Sequence, residues 1–410
     1  MFFAQLLDRL IVAGSLTYID PKGRTHRFGG EPIAGVKPVT LRLTDASIDL
    51  RLGLQPLLAV GEAYMDGKLI IESGTLYDFL ALAGANLQRG HHASWLKWTQ
   101  SLSHLWRRVQ QYNPLGQARR NAAHHYDISL ALYELFLDPD RQYSCAYFEN
   151  ANVSLEEAQI AKKRHIMAKL LLKPGQKVLD IGCGWGGLGL SLGREAGVDV
   201  TGITLSEQQL REAQKRAALA QRSDQVRFQL ADYREITGTY DRVVSIGMFE
   251  HVGVNHFDEF FRVVHDRLAD DGVALIHFIA RSDGPSTTNA WIRKYIFPGG
   301  YSPALSEVLP AIERSGLYIT DIEILRLHYA ETLRHWRERF QANRERAAQL
   351  YDERFCRMWE FYLTGSEVAF RFQGHMVAQV QLSRRQDIVP MTRSYIESAE
   401  DPRRWRKAGE

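Results

Sequence analysis

Residues Gln176–Gly187 read QKVLDIGCGWGG, an apolar run that ends in an acid and opens at once into glycines. Val178, Leu179 and Ile181 predict a buried strand, with Asp180 near its carboxyl end. The glycines allow a tight turn and a close approach of the backbone to a ligand. An acid directly before such a turn suits a ligand with a positive amino group, whereas a dinucleotide site leaves the helix N-terminus free for a pyrophosphate. The pattern therefore indicates a site for S-adenosylmethionine (SAM).

A nicotinamide or flavin domain is the alternative, because Gly182, Gly184 and Gly187 also fit the spacing G-x-G-x-x-G. Such a domain usually has an acid about 20 residues further on, at the end of its second strand, where it binds the ribose. Here the second predicted strand, Val198–Thr204, ends in Gly-Ile-Thr without an acid. This segment favours SAM, and the dinucleotide alternative stays open.

Beyond Leu172, predicted strands and helices alternate. The predicted strands are Lys177–Ile181, Val198–Thr204, Val226–Leu230, Asp241–Ile246 and Gly272–Ile279. The helix-like segments between them are about Gly187–Glu195, Ser206–Gln221 and His256–Leu268. This alternation predicts an α/β fold with a doubly wound, Rossmann-like parallel sheet, in which ligands bind beyond the carboxyl ends of the strands. Polar and aromatic residues at those ends are therefore candidates for one shared site.

The N-terminal part predicts a separate, small α/β domain. The 410 residues leave room for two or three domains, and the hydrophobic fraction of 45% is ordinary for a globular protein. We expect domains at residues 1–100 and 126–400, with a helical connector at 101–125. The elements predicted in the first domain are an amphipathic helix in MFFAQLLDRLIVAG, alternating stretches at Val39–Leu43 and Ala46–Leu52, a helix-like Gln55–Asp66 and an apolar Leu69–Ile71. Leu87–Gln117, which includes Trp95, Trp98 and Trp106, predicts an amphipathic helix and connector.

Composition narrows the class of protein. No apolar run approaches the ~18–20 residues that span a bilayer, and charges within the first apolar stretch argue against a signal peptide. Three scattered cysteines are too few for a disulfide framework or a structural zinc site, so we expect a cytoplasmic protein.

Charge is distributed unevenly along the chain. Residues 1–120 hold 14 Lys/Arg against 9 Asp/Glu, whereas the remainder holds 37 against 39. The basic part favours an anionic surface such as phospholipid headgroups or nucleic acid; a solvated face without a partner is an equal alternative.

Two strand ends carry candidates for the ribose and the adenine. Thr204 and Gln209 can bind ribose hydroxyls, although Ser206 with Gln209 equally predicts a capping box for the following helix. Asp232 can accept from the adenine amino group, with Tyr233 beside the ring. The glycines before them would offer backbone to the methionine moiety.

A histidine lies within the apolar run VALIHFIA. His277 there is more typical of a hydrogen-bonded core residue than of a catalytic one. However, strand alternation puts His277 and Ile279 on one face, and Glu250 ends the neighbouring predicted strand. A buried Glu and His side by side could hold a small polar species or share a proton.

The sequence resembles the cyclopropane-fatty-acyl-phospholipid synthase family, which includes the mycolic-acid cyclopropane synthases, in seven stretches that occur in the family's order. They run over about Asn121–Val380, about two thirds of the chain. The blocks are AHHYDISLALYELFLDPDRQYSCAYF (Ala123–Phe148), VLDIGCGWGG (Val178–Gly187), GITLSEQQ (Gly202–Gln209), MFEHVG (Met248–Gly253), HFIAR (His277–Arg281), YIFPGGY (Tyr295–Tyr301) and HYAETLRHWRERF (His328–Phe340).

The resemblance implies a class I SAM-dependent methyltransferase that transfers a methylene group to a cis double bond in an acyl chain. The candidate SAM-binding residues are then Tyr143, Ser144, Asp180, Gly182, Gly184, Gly186, Thr204, Leu205, Gln209, Asp232 and Tyr233. The positions that match the family's bicarbonate site, which holds its base, are Cys145, Glu250, His277, Ile279 and Tyr329. No metal is implied.

The implied chemistry is coherent with these side chains. The alkene attacks the sulfonium methyl, and the resulting carbocation must lose a methyl proton to close the ring. Aromatic faces such as Tyr329, Phe249 and Tyr301 could stabilise that cation by about 1–2 kcal/mol each in a dry site, and water must be kept out because it would trap the cation. An anion held by Glu250 and His277 could take the proton.

One position departs from the family pattern. Many members carry a cysteine where this chain reads Thr364-Gly365-Ser366, so a thiol cannot act there, and Ser366 is a weak substitute. Cys356, ten residues earlier, is expected in the core. The match is weaker in the N-terminal domain (VGEAYMDGKLIIES, Val60–Ser73), which resembles the family's lipid-handling domain.

The sequence thus predicts a cyclopropane-fatty-acyl-phospholipid synthase that acts on unsaturated phospholipid chains at a membrane surface, with a homodimer implied by the family. The first domain and an insertion at about 285–375 would cover the acyl chain. The alternatives are a SAM-dependent fatty-acid C-methyltransferase that leaves a methyl or methylene branch, an amine methyltransferase, and a non-catalytic lipid-binding relative. A nucleic-acid methyltransferase is disfavoured, because the basic surplus is small and no base-recognition motif follows the fourth strand.

Overall fold

A computed structural model describes residues 1–89 and 128–400. These residues form two compact units. The first, termed the N-terminal unit, contains residues 1–89, Ser286–Pro298 and Ala330–His375. The second, termed the large-sheet unit, contains residues 128–285, Gly299–Tyr329 and 376–400. The connector predicted at 101–125 lies outside the described residues, and so do Trp95, Trp98 and Trp106.

The elements follow one another along the chain with the bounds given next. The strands are β1 (Ser15–Ile19), β2 (Thr25–Gly29), β3 (Val39–Leu43), β4 (Leu69–Ser73), β5 (Lys177–Ile181), β6 (Asp199–Thr204), β7 (Val226–Leu230), β8 (Tyr240–Ile246), β9 (Leu268–Arg281), β10 (Tyr318–Leu325) and β11 (His375–Ser383). The helices are α1 (Phe2–Leu10), α2 (Asp49–Leu54), α3 (Pro56–Met65), α4 (Leu76–Gln88), α5 (Leu130–Tyr133), α6 (Leu155–Lys169), α7 (Gly187–Ala196), α8 (Glu207–Leu219), α9 (Phe257–Arg267), α10 (Ala290–Tyr295), α11 (Leu305–Ser315), α12 (His328–Ala342), α13 (Arg344–Leu350), α14 (Glu353–Phe372) and α15 (Ser394–Glu400). Short 3-10 turns lie at Ala46–Ile48, Tyr233–Glu235, Phe249–His251 and Val254–His256.

The N-terminal unit is built on a four-stranded sheet in the order β2-β1-β3-β4. Strand β1 pairs antiparallel with β2 and parallel with β3, and β3 pairs antiparallel with β4. Alternate residues of β1 and β3, such as Leu16, Tyr18 and Leu41, are fully buried in its core. This is the α/β organisation that the alternating stretches predict.

One predicted element of this unit is wrong. Ala46–Leu52 alternates like a strand, but it forms a 3-10 turn followed by α2. The Asp45 side chain accepts a hydrogen bond from the Ser47 N–H and so caps the turn. Asp49 then accepts from the Phe2 and Phe3 N–H groups at the start of α1. The local bond of Asp45 and the long-range bonds of Asp49 together stabilise helical backbone over a stretch too short for its periodicity to decide.

The large-sheet unit confirms the predicted α/β fold. Its seven-stranded sheet has the order β10-β11-β9-β8-β5-β6-β7. Strands β5 to β9 are parallel to their neighbours in that group, and β10 and β11 form an antiparallel pair. The central strands are buried on both faces, which explains why they read as continuous apolar runs.

The strand order determines where a ligand can bind. The chain leaves β5 for β6 and β7 on one side and then returns to β8 on the other. Ligands of open α/β sheets bind beyond the carboxyl ends of strands at such a switch point. The ends of β5, β6 and β8 therefore define the candidate ligand-binding region.

No helix within residues 1–89 and 128–400 is both long and apolar enough to cross a membrane.

Candidate active site

The glycine turn after β5 opens the site. The N–H groups of Gly182 and Cys183 both donate to the Ile203 carbonyl, at 3.0 and 2.9 Å, and so fix the turn to β6. Gly184 has φ +54°, and no described atom lies within 4 Å of where its Cβ would be. Gly186 has φ +80°, and a Cβ there would lie 2.8 Å from the Phe228 ring. Gly184 thus faces open space, whereas Gly186 serves helix packing.

Asp180 is a buried acid directly before this turn. It is 1% exposed, and its Oδ2 atom has no hydrogen-bond partner in the described part of the chain. Burial raises the pKa of its carboxyl to about 7. An unpaired buried carboxylate oxygen is costly unless a ligand satisfies it. A positively charged ammonium group is the ligand chemistry that this position fits.

The tip of β6 combines a helix cap with a polar pair. The Ser206 hydroxyl accepts from the Gln209 N–H at 3.3 Å, which confirms the predicted cap. The Gln209 side chain does not complete a capping box but accepts from the Thr204 hydroxyl at 2.9 Å. Leu205 between them is half-buried. Thr204 and Gln209 are thus together at the end of the strand, where ribose binding was predicted.

The two candidate residues after β7, Asp232 and Tyr233, already have hydrogen-bond and packing partners within the protein, which the sequence does not indicate. Asp232 caps the following 3-10 turn, and its carboxylate accepts from the Arg234 guanidinium at 2.8 and 2.9 Å. The Tyr233 ring packs edge-on against Phe260, with centroids 5.2 Å apart. Oδ1 of Asp232 already accepts two hydrogen bonds, from the backbone N–H and Nε of Arg234, whereas Oδ2 accepts one and retains capacity for another. Their adenine contacts stay predictions.

A buried lysine supports the segment that contains Tyr143 and Ser144. Lys162 on α6 is 1% exposed and donates to the Ser144 hydroxyl at 2.8 Å and to the Gln142 side chain at 2.7 Å. Burial lowers the pKa of its ammonium to about 8, although nearby acidic groups, including the Cys145 thiol, favour the charged form. Tyr143 packs edge-on against Tyr133 at 5.2 Å. Lys162 therefore places a positive charge beside the candidate residue Cys145.

Sequence reasoning missed this lysine. In α6, Lys162 and Lys169 are seven residues apart, a spacing that puts both on one helix face. Two lysines on one helix face predict exposure to solvent, yet both side chains are buried. The signal that could have revealed Lys162 was the composition of α6, which has too few apolar residues to form a buried face from apolar side chains alone.

Glu250 and Ile279 are brought together at the ends of β8 and β9. Glu250 Oε1 accepts from the Ile279 N–H at 2.7 Å, and the Glu250 carbonyl accepts from the Tyr301 N–H at 2.9 Å. The second carboxylate oxygen, Oε2, is buried and has no partner among the described residues. Burial raises the pKa of this carboxyl to about 7.

His277 lies on the same face of β9 as Ile279, about 7 Å along the strand by its repeat. Its carbonyl accepts from the Gly247 N–H at 2.8 Å, which joins it to the loop before Glu250. Burial lowers the pKa of the imidazole to about 3, and the charges of Lys162 and Lys169 add to this effect. The side chain is 2% exposed and therefore neutral at physiological pH.

The three remaining candidates, Cys145, Tyr329 and Ser366, lie on different elements. Cys145 is fully buried, with its Sγ donating to the Ala146 carbonyl at 3.3 Å. Tyr329 is half-buried at the second position of α12. Ser366 lies on α14 of the N-terminal unit, whereas Glu250 and His277 belong to the large-sheet unit. The roles of these three residues stay predictions, and so does the role assigned to Ile279.

The suggested cation-facing role of Phe249 is corrected. Its ring is fully buried among four other phenylalanine rings, the nearest being Phe257 at 4.6 Å. It belongs to the core, because the 3-10 turn that directs the Glu250 carboxylate to the Ile279 N–H turns the neighbouring Phe249 ring inward. Cys356 is fully buried, as expected for a core residue.

Comparisons with known proteins show which family the sequence and the fold resemble. A family model described as mycolic acid cyclopropane synthetase matches residues 114–380. Cyclopropane-fatty-acyl-phospholipid synthase of Escherichia coli (strain K12) is 36% identical over 356 residues, which cover 87% of this chain and 90% of that protein. Tuberculostearic acid methyltransferase UfaA1 of Mycobacterium tuberculosis is 37% identical over 78% of this chain and 77% of its own. The solved structure of mycolic acid cyclopropane synthase CmaA1 complexed with SAH and CTAB superposes with a TM-score of 0.62 at 36% identity, covering 66% of this chain and 99% of that one.

Proposed function

The chain belongs to the mycolic acid cyclopropane synthetase family, and on that premise we propose that it is a cyclopropane-fatty-acyl-phospholipid synthase. It transfers a methylene group from SAM to the cis double bond of unsaturated phospholipid acyl chains. The observation that carries the proposal is a pair of buried, unpartnered carboxylate oxygens, those of Asp180 and Glu250, at the ends of the adjacent parallel strands β5 and β8. One suits the donor's ammonium group, and the other suits the proton that the reaction must move.

The donor side of the site is made of β5, its turn and the tip of β6. SAM supplies an electrophilic methyl group when bound. Asp180 accepts from its ammonium group, the backbone at Gly184 leaves room for it, and Thr204 with Gln209 binds the ribose. These roles rest on the open space at Gly184 and the unpaired Asp180 oxygen.

The acceptor side holds the base. A bicarbonate ion held by Glu250, His277, Cys145 and the Ile279 segment would supply a base for the methyl proton. A carboxyl with a pKa of about 7 can carry a proton and donate to such an anion. Lys162, buried beside Cys145 and acting on His277, offsets the added negative charge. Because Oε2 of Glu250 and the His277 side chain are buried, this side of the site would keep water away from the carbocation on the acyl chain.

The direct test incubates the protein with SAM and vesicles of unsaturated phospholipid and analyses the fatty acids by mass spectrometry. A gain of one CH2 with loss of the alkene supports the ring. The similarity to UfaA1, named a methyltransferase, makes a branched product the second candidate, and the same mass gain with an alkene retained would identify it. An unchanged mass, together with no heat on SAM titration, would indicate a non-catalytic lipid-binding relative.

The two turn glycines provide a test of the donor site. We expect Gly184→Ala to lower SAM affinity about tenfold or more, because its Cβ would enter the open space, while backbone strain costs only about 1 kcal/mol of stability. Gly186→Ala should cost about 2–4 kcal/mol, because strain and the overlap with Phe228 add. Calorimetric SAM titration and thermal unfolding measure both. Wild-type SAM affinity in Gly184→Ala would contradict this donor site.

We also propose that the enzyme is cytoplasmic and homodimeric and binds membranes peripherally through an apolar patch on the N-terminal unit. The patch consists of Phe2, Leu50, Leu54 and Leu57, whose exposed fractions run from 47% to 64%. Phe2 lies against Gly53 in α2, and Asp49 ties α1 to α2, so Phe2 lies beside the helix that carries Leu50 and Leu54. Exposed apolar side chains suit the surface of a bilayer, and the basic surplus of residues 1–120, which comes from residues 90–120 of the sequence, would add attraction to anionic lipid.

Charge placed in this patch should weaken membrane binding. We expect Leu54→Glu with Leu57→Glu to lower binding to anionic phospholipid vesicles about tenfold or more, since apolar burial is lost and like charge is added. Vesicle co-sedimentation measures the change. Leu219→Glu is the matched control, because Leu219 is 75% exposed on α8 of the other unit. Equal binding by the patch variant and the wild type would rule the patch out.

A further inference from the structure

A glutamine on the last strand of the sheet contacts the candidate histidine. Gln379 on β11 is fully buried, and its Nε2 lies 3.2 Å from Nδ1 of His277. Its Oε1 lies 2.8 Å from Nζ of Lys169 at the end of α6. The side chain therefore connects a buried cation to the imidazole.

Lys169 determines which way the Gln379 amide faces. An ammonium group has three donors and no acceptor, so only the amide oxygen can face it. Lys169 is itself fully buried and is held by the Glu323 carboxylate, which also binds Nε2 of His165 at 2.5 Å. The reverse orientation of the amide would bring an N–H donor against an ammonium. Hence the Gln379 NH2 group faces His277.

The amide orientation in turn determines where the His277 proton lies. A neutral imidazole has one N–H and one acceptor nitrogen, and burial beside positive charges keeps His277 neutral. Because Gln379 donates to Nδ1, this nitrogen must be the acceptor. The proton is therefore on Nε2.

We propose that Gln379 is a positioning residue that fixes His277 as the Nε2–H tautomer, so that the site receives an N–H donor from this ring instead of a lone pair. The inference about the tautomer stands on the contacts alone, whereas its importance for turnover rests on the proposed function. An N–H donor at this place holds an anion such as bicarbonate; a lone pair would repel it. Nothing in the apolar run around His277 indicates this partner, which is 102 residues further along the chain.

The test combines a spectrum with kinetics. Long-range proton–nitrogen NMR of protein with 15N-labelled histidine, with His277 assigned by a His277→Asn variant, should show Nδ1 unprotonated and Nε2 protonated in the resting protein. Gln379→Glu keeps the length of the side chain but presents a second acceptor, so the proton should move to Nδ1. Turnover should fall about 100-fold with SAM affinity unchanged. Gln379→Met, which removes both hydrogen bonds, should give a mixture of tautomers and a smaller loss.

Gln381→Glu is the matched control. Gln381 is equally buried on the same strand, but its side chain donates to the Lys169 carbonyl and to Tyr395, not to His277. Gln381→Glu should leave the His277 tautomer and the SAM affinity unchanged, and its loss of thermal stability should be comparable to that of Gln379→Glu. A wild-type spectrum with protonated Nδ1 overturns the proposal, and so does an unshifted spectrum in folded Gln379→Glu. Absence of any lipid product from the wild type would instead overturn the proposed function, because the spectrum needs no turnover.

Discussion

Glu250→Gln is expected to lower turnover about a thousandfold while SAM affinity stays within a few-fold. The amide carbonyl can still accept from the Ile279 N–H, so the local backbone contact persists. The change removes the ionisable oxygen, Oε2, which is buried without a partner, and with it the ability to exchange a proton with a bound anion. Losses of about 10²–10⁴ are typical when a group that moves a proton is removed. Single-turnover product analysis and calorimetric SAM titration measure the two quantities.

A control separates this effect from a general loss of charge. Glu207 lies on α8 with a side chain that is 71% exposed and pairs with Arg211 on the surface, so Glu207→Gln should behave as the wild type. If SAM affinity fell in step with turnover in Glu250→Gln, the carboxylate would serve cofactor binding and not the base.

The second large effect is expected at Asp180, where Asn should lower SAM affinity about 10- to 100-fold. The charge-assisted hydrogen bond to the donor's ammonium group would be lost, which is worth about 1.5–3 kcal/mol. Turnover at saturating SAM should change much less, because Asp180 does not touch the reacting carbon in this proposal. An unchanged dissociation constant would show that the ammonium group binds elsewhere.

The pH dependence gives Asp180 a distinct signature. Its pKa is raised to about 7 by burial, so in the empty protein its neutral form contributes stability that is present below about pH 4 and lost as the pH rises through 7. Bound SAM favours the ionised form. The rise in melting temperature caused by SAM should therefore increase from about pH 5 to 7 in the wild type and stay nearly flat in Asp180→Asn. Glu250 titrates in the same range, which is why the shift caused by SAM is the quantity to compare.

The large sheet could be predicted from local signals. Predicted strand Lys177–Ile181 has the observed bounds, because a buried parallel strand is a short apolar run, here bounded by glycines. Val226–Leu230 also has the observed bounds, but it is an edge strand, recognisable from its alternation of apolar and polar residues. Ala46–Leu52 failed for the opposite reason, since two aspartates with distant or short-range backbone partners decide its structure. The local pattern of apolar residues predicts an element when burial decides its structure. It fails when hydrogen bonds from side chains decide it.

The site divides in the same way. Asp180 and Glu250 could be located because they end strands that are recognisable one at a time. Lys162, Lys169 and Gln379 could not, because each acts through a partner on another element, and a buried amide or ammonium has no periodicity of its own. Seven family blocks indicated the residues proposed to bind bicarbonate, but they did not indicate that Gln379 contacts the histidine among them.

The pairing of β9 with β11 has a consequence for biosynthesis. The Rossmann strands β5 to β8 can assemble on the ribosome in order, but β11, whose Gln379 contacts the imidazole, is translated only after β5 to β10. Contacts between such distant segments slow folding, and growing chains with unpaired strand edges are prone to aggregate. Nascent chains arrested before residue 375 should therefore depend on chaperones more than chains released after it.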